Sequence, residues 1–298
     1  MEKTGLSVWL FPYGRIIGAV HARVHVWRTL HALPFAALGA LCARRGWPTT
    51  TETLLLVVVI LFARAYAVSL IRLFKAPFDV ANPGEERPGR DPVPRAVWIA
   101  FALHAAVALV AASYGLHALT GHLSWILVVF FYVYSATRRY TGFSHFLFGA
   151  GIGMVPPSVG IALAGNLGGA TPALVAIGAG TALWAAGFDM IFSLAPPLRD
   201  PNVPHAFVQA PRFSNRTVRA VAAACHAAAV LLFAWGMGSA LGSSLSLAGP
   251  LAVGFLLAYG HGVETQKADG GPTPLFSALN FAVGPMLLIG GVVTLAVI

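Results

Sequence analysis

Long apolar runs recur along the whole of this chain, and several approach or exceed the length of a membrane-spanning helix. Residues 53–63 (TLLLVVVILFA), 98–113 and 276–298 are the plainest, and others follow the same pattern. A helix needs ~20 such residues to cross the hydrocarbon core. Only helices and closed barrels satisfy their backbone polar groups there. The runs are continuous rather than alternating, which selects helices over a barrel. Composition agrees: 57% of the 298 residues are hydrophobic and 10% are charged. A soluble domain carries roughly 25% charged residues, so this chain has too little polar surface to solvate a globule. The expected fold class is an all-α polytopic membrane protein forming a single membrane domain over residues 1–298.

Nine spans are expected, near 24–43, 51–71, 96–119, 122–137, 143–165, 172–193, 217–240, 244–261 and 275–297. Longer connections fall at 72–95, 194–216 and 262–274. No cleavable signal peptide is expected, because the first apolar stretch runs into a full span. Cys42 and Cys225 both fall in spans and read as packing residues. The net charge of +9 is the Lys and Arg excess of cytoplasmic loops rather than a nucleic-acid footprint.

Those cations are unevenly placed. Arg72, Lys75, Arg87, Arg90 and Arg95 lie between spans 2 and 3, Arg138 and Arg139 between 4 and 5, Arg199, Arg212 and Arg216 between 6 and 7, and Lys267 between 8 and 9. The opposite connections near 120, 166–171 and 242 have no Lys or Arg, and only Arg44 and Arg45 break the pattern. The positive-inside rule then puts the N-terminus and the long loops in the cytoplasm, with the C-terminus outside, in a bacterial-type inner membrane. Acidic residues collect on the same side: Asp79, Glu85, Glu86 and Asp91 in the first long loop, Asp189 and Asp200 about the second. Membrane-edge ionisable groups are functional candidates.

The histidines carry little signal. His21 and His25 have i, i+4 spacing but no third ligand, so an interfacial polar face reads better than a metal pair. His31 reads as a hydrogen-bonded interior residue. His104, His117, His122, His145, His205, His226 and His261 show no pairing in sequence, and no haem site is read from them. The GAGIGM run at 149–154 reads as close helix packing rather than a dinucleotide loop.

Four stretches resemble the UbiA-type intramembrane prenyltransferases, most closely the 4-hydroxybenzoate and menaquinone branch. YSATRRYTGFSHFLFGAGIGMVPPSVGIALAG (134–165) is similar to that family's central Tyr-Pro-x-x-Lys-Arg-x-Thr signature and the Gly-rich helix after it, with Tyr134, Arg138, Arg139 and Thr141 matching. LHALPFAALGAL (30–41), LWAAGFDMIFSL (183–194) and AYGHGVETQKADGGPTPLFSALNF (258–281) resemble its first, sixth and eighth-to-ninth helices. The resemblance implies a nine-helix bundle. It also implies a reaction in which Mg²⁺, held by two aspartate-rich loops, neutralises the leaving diphosphate of a prenyl donor.

The chain departs from the family where the metal is held. The first loop there reads Asn-x-x-x-Asp-x-x-x-Asp; aligned on Asp79, with Arg72 and Asn82-Pro83 agreeing, the positions here are Ile71, Lys75 and Asp79. In the second loop, positions counted from Asp189 become Pro196 and Asp200. Mg²⁺ takes near-octahedral oxygen ligands, and a lysine beside it repels it. Asp79 and Asp200 are the two metal candidates that remain. Asp79 reads more readily as a loop cap before Asn82-Pro83-Gly84, or as the partner of a nearby Arg, than as a metal ligand. Arg72, Lys75, Arg138, Arg139 and Asp189 are the substrate-binding candidates: the cations suit a phosphate without metal, and Asp189, inside an apolar run, needs a hydrogen-bonding or ionic partner. No catalytic residue and no cofactor is expected.

The expectation is therefore a divergent family relative, non-catalytic for Mg²⁺-dependent prenyl transfer. It binds an isoprenoid lipid such as a quinone, carotenoid or chlorophyll-type tail, or serves as a subunit of a membrane complex. Its partners are membrane lipids or other chains of such a complex, not nucleic acid. The alternative is an active divergent prenyltransferase, with Mg²⁺ as cofactor, acting on a polyprenyl diphosphate and an aromatic or quinone-precursor acceptor. A transporter is a weaker third class, since no charged midplane pathway or broken-helix repeat is visible.

Overall fold

The computed structural model describes residues 31–79, 93–137, 141, 143–169, 171–194, 214–265 and 272–298. Among them every regular element is helical. The order is α1 Leu33–Arg44, α2 Thr50–Asp79, α3 Arg95–Leu116, α4 Ala118–Thr137, α5 Ser144–Gly153, α6 Val155–Ala164, α7 Pro172–Phe192, α8 Asn215–Leu241, α9 Ala248–Thr265 and α10 Pro274–Val297. With α5 and α6 counted as one bent span, eight helices among the described residues are long and apolar enough to cross a membrane; α1, of 12 described residues, is a shorter apolar helix. That agrees with nine spans. The chain is an integral membrane protein.

Local chemistry explains most of the boundaries. Thr171 and Thr273 each precede a proline at a helix start, and each hydroxyl accepts a backbone N–H three residues on, from Leu174 at 3.3 Å and from Phe276 at 3.0 Å. Ser214 does the same for Thr217 at 3.1 Å. A capping oxygen followed by proline suits a helix N-terminus, where the missing N–H would have had no partner. The bend between α5 and α6 falls at Met154, just ahead of Pro156 and Pro157. Prolines there remove ladder donors, so the stretch expected as one span over 143–165 is two short helices. Gly165 and Gly242 close α6 and α8 at φ 67° and 69°, a region open to glycine without steric cost.

One boundary differs from expectation. α2 continues through Asp79, so Arg72, Lys75 and Asp79 stand on its last turns and not in the connection assigned to 72–95. Pro77 is the one proline in 72–79, and it lies within the last turn. Nothing before it breaks a helix.

The bundle is organised about α7. Two thirds of its span is buried (67%), against 22–39% for the others, so it is the central helix. Its largest contacts are with α8 and α5, while α2 packs chiefly on α3. The main core draws Phe35 and Leu38 from α1, Ile177 from α7, Phe233 from α8, Val253 from α9 and Leu287 from α10. The outer surface is oily: Leu231, Leu251 and Phe255 are about 70% exposed (72%, 69% and 74%). A water-soluble protein rarely exposes contiguous apolar surface on that scale, whereas lipid tails accept it.

The two ends of the bundle are unlike. The three longest connections (80–94, 193–214 and 266–273) share one end with the shorter 138–143, and none at the other end exceeds seven residues. At the short-connection end sit Arg44 and Arg45, the two cations that violate the charge pattern. The Arg44 guanidinium grips the Glu52 carboxylate, which Thr49 also holds through its N–H and hydroxyl at 2.8 Å each. Arg45 donates to Ala240 O at 3.2 Å, in the last turn of α8. Both are spent on helix ends, Arg45 on a carbonyl at a negative dipole terminus. Arg45 is also the one non-glycine at positive φ (50°) among the described residues. Arg45→Ala, which loses the bond and keeps the strained φ, is expected to cost about 1 kcal/mol. Arg45→Gly is expected to be near neutral, because relief of the left-handed backbone offsets the lost bond by about 1 kcal/mol. Thermal melts of the detergent-solubilised variants check both.

Candidate functional site

The groups able to bind or react gather at the long-connection end. Its first component is the end of α2. Steps of four along a helix advance about 6 Å and rotate only about 40°, so residues 71, 75 and 79 form one stripe. The stripe reads Ile, Lys, Asp. Arg64, seven residues before Ile71, stands on nearly the same stripe, half-buried within the span. It falls inside the span expected at 51–71, yet it is not among the sequence candidates. The signal that finds it is simple: an arginine inside a span marks a functional position. Arg72 is half-buried nearby on the helix.

The second component is Asp189 on α7. Its Oδ2 accepts a hydrogen bond from His145 Nδ1 at 2.7 Å, across to α5. The two side chains are 16% exposed (His145) and 21% exposed (Asp189), so the pair is shielded but reachable. What brings α5 this close is glycine. A Cβ on Gly149 would stand 2.1 Å from Ala182 O, and one on Gly153 would stand 2.5 Å from Gly178 O. Backbone therefore meets backbone, and the GAGIGM run does pack helices, as expected. Asp189 has the partner its environment demanded. That partner, His145, lies 44 residues away, and no local pattern links the two.

A third group lies deeper, between α7, α8, α9 and α10. His226 is 2% exposed. Its Nε2–H donates to Trp184 O at 3.1 Å, and its Nδ1 accepts from His261 Nε2–H at 2.8 Å. Trp184 Nε1–H donates to Asn280 Oδ1 at 3.0 Å, and Asn280 donates to Phe276 O at 2.9 Å. Nearby, Glu264 (1% exposed) accepts the Thr273 N–H at 2.6 Å, and Arg219 donates to the Glu264 backbone carbonyl at 2.8 Å. His226 and His261 thus form a pair, which corrects the expectation that they are isolated. Residues 35 apart meet because α8 and α9 pack together there. These bonds fasten four helices to one another.

The remaining sequence candidates divide as follows. Lys75 and Asp79 are placed by their helix positions, and their side chains lie outside the described residues, as do Arg138, Arg139, Pro196 and Asp200 altogether. Asp189 is therefore the one candidate for which the structure gives a partner. Among the described residues no three of His, Cys, Asp and Glu are grouped as metal ligands. Cys42 and Cys225 are buried and free.

The profile of the UbiA prenyltransferase family matches residues 32–282. The chain belongs to the UbiA prenyltransferase family. Two solved structures share its fold. A UbiA homolog from Aeropyrum pernix K1, solved in its apo form, is 21% identical with a TM-score of 0.76, over 90% of this chain and 98% of that one. A digeranylgeranylglyceryl phosphate synthase is 15% identical with a TM-score of 0.67, over 95% and 100%. No curated protein matches the sequence. By its resemblance to other UbiA sequences, α7 with its Gly187-Phe188-Asp189 run corresponds to the helix before the second loop, and α2 to the helix before the first.

Proposed function

We propose that this UbiA protein binds an isoprenoid lipid between its helices and does not release pyrophosphate by the family's magnesium-dependent route. The observation that supports this reading is the unbroken course of α2 to Asp79. Because the helix is continuous, positions 71, 75 and 79 share a face, and the residues on that face are one isoleucine, one lysine and one aspartate. Magnesium asks for oxygen ligands in near-octahedral array. This donor set does not fit the ion, and a lysine among the ligand positions opposes it. Arg64 and Arg72 on the same helix add to the positive charge. An anionic or strongly polar headgroup is then held by cations directly, as arginine does well. On the charge asymmetry of the loops, the long-connection end faces the cytoplasm.

Two measurements on the purified protein test this. Pyrophosphate release from geranylgeranyl diphosphate, with and without millimolar Mg²⁺, is expected to stay at background. Mass spectrometry of the solubilised protein is expected to find a co-purifying isoprenoid. Magnesium-dependent pyrophosphate release would overturn the reading in favour of an active prenyltransferase. Stoichiometric partner chains without lipid would favour a subunit role.

A further inference from the structure

The His145–Asp189 pair has a directionality that the rest of the site lacks. A carboxylate only accepts, so the hydrogen between them is on His145 Nδ1. In the neutral form of the ring the lone pair is then on Nε2. Asp189 Oδ2 is 2.7 Å from Nδ1, and Nε2 has no hydrogen-bond partner among the described residues. The ring is also held in place. One turn further along α5, Gly149 sits against the α7 backbone at Ala182 and beside Ala186, so the two helices have little freedom to separate. The result is an oriented, partly exposed hydrogen-bond acceptor at the long-connection end, where a lipid headgroup would lie.

The electrostatics narrow what it can accept. A phosphate or carboxylate placed at Nε2 would lie close to the Asp189 carboxylate, and like charges at that range repel. Anions are better served by Arg72, near the end of α2. A neutral hydroxyl donor meets no such penalty. Exposed rings lie within a turn of both residues: Phe143 and Phe146 flank His145 on the chain and are 72% and 37% exposed. Phe192 is three residues after Asp189, on the same side of α7, and 39% exposed. Its ring centroid is 4.4 Å from that of Phe188, and Phe188 in turn lies 5.9 Å from Phe281. Exposed ring surface beside an oriented acceptor is complementary to a flat ring carrying a hydroxyl.

We infer that His145, oriented by Asp189, accepts a hydrogen bond from the ring hydroxyl of a prenylated hydroxyaromatic lipid, so that this pair selects the headgroup. The inference rests on the lipid-binding reading above and deepens it. It makes His145 a headgroup contact and Asp189 a positioning residue.

The test is equilibrium binding to the full-length protein in detergent, under anaerobic conditions. Three probes share one tail: geranylgeranyl hydroquinone, its dimethyl ether, and the bare tail hydrocarbon. Wild type is expected to bind the hydroquinone about tenfold more tightly than the ether. His145→Phe is expected to bind the two equally, with the affinity for the bare tail unchanged. Asp189→Asn, which keeps the volume and loses the charge that orients the ring, is expected to show an intermediate preference. Equal binding of hydroquinone and ether by wild type would overturn the headgroup assignment and leave the lipid-binding reading standing, provided the tail binds. Failure of all three probes would remove both. A tenfold preference retained in His145→Phe would assign the hydroxyl contact elsewhere. If that variant does not purify, the same result in Asp189→Asn decides against the role given to the pair.

Discussion

Gly149→Val and Gly153→Val are each expected to leave little folded protein. A Cβ on Gly149 would be 2.1 Å from Ala182 O, and one on Gly153 would be 2.5 Å from Gly178 O and 2.6 Å from Ala182 Cβ. Two of those obstacles are main-chain oxygens of α7, which cannot rotate aside as a flexible side chain can. The helices must part, and α7 is the most buried helix of the bundle. Overpacking a core ordinarily costs about 1–3 kcal/mol; a backbone collision at the central helix belongs at or above the top of that range. In a bilayer there is no strong hydrophobic drive to restore the contact, because association depends on close packing itself. His145 would also lose its reach to Asp189. Two other glycines separate this from a general intolerance of side chains. A Cβ on Gly151 would meet only the Phe130 and Phe131 rings, at 3.3 and 3.5 Å, and one on Gly262 would have nothing within 4 Å. Gly262→Ala is expected to be neutral or slightly stabilising, since alanine favours a helix by about 1 kcal/mol over glycine. Thermal stability by size-exclusion in detergent is the readout. Wild-type-like melting of Gly149→Val would refute the backbone contact.

Glu264→Ala is expected to be the most damaging change outside the glycine contact. Glu264 is 1% exposed, and one carboxylate oxygen accepts the Thr273 N–H at 2.6 Å at the start of α10. The other faces Arg219 at 3.4 Å, whose side chain is 15% exposed. Removing the acid leaves a largely buried guanidinium and a helix-start N–H without it. Taking one partner from a buried ion pair typically costs about 3–5 kcal/mol. Arg219 also donates to the Glu264 main-chain carbonyl at 2.8 Å. That bond survives the substitution, so the lower end, about 3 kcal/mol, is expected. Glu264→Gln keeps an acceptor for Thr273 and is expected to cost about 1–2 kcal/mol. In a double-mutant cycle, Arg219→Ala together with Glu264→Ala is expected to cost less than the sum of the two singles. Strict additivity would mean the pair does not interact.

The course of the helices was legible in the sequence, and most of the site's inner contacts were not. Each spanning helix satisfies its own backbone, so length and hydropathy suffice to place it. The Thr171-Pro172 and Thr273-Pro274 starts and the Gly165 and Gly242 ends are local for the same reason. The end of α2 was harder. Its polar residues look like loop, and their helical state follows only from the absence of a breaker before Pro77. The resemblance at 134–165 and the run around Asp189 identified the family, because those residues lie in continuous motifs. Asp189's need for a partner was also legible, since a carboxylate in an apolar run demands one.

Which partner it takes was a different matter. His145 with Asp189 and His226 with His261 are 44 and 35 residues apart, and neither spacing has a signature. Sequence by itself determined where, among the described residues, the chain crosses the membrane, what solvent those spans face and which family they belong to. Those properties depend on each segment's own hydrophobicity and hydrogen bonding. Tertiary structure alone decided which polar side chains meet. That depends on how far each helix is rotated about its axis and how closely its neighbours approach; for His145 and Asp189, glycine-to-backbone contacts between α5 and α7 bring the two helices together.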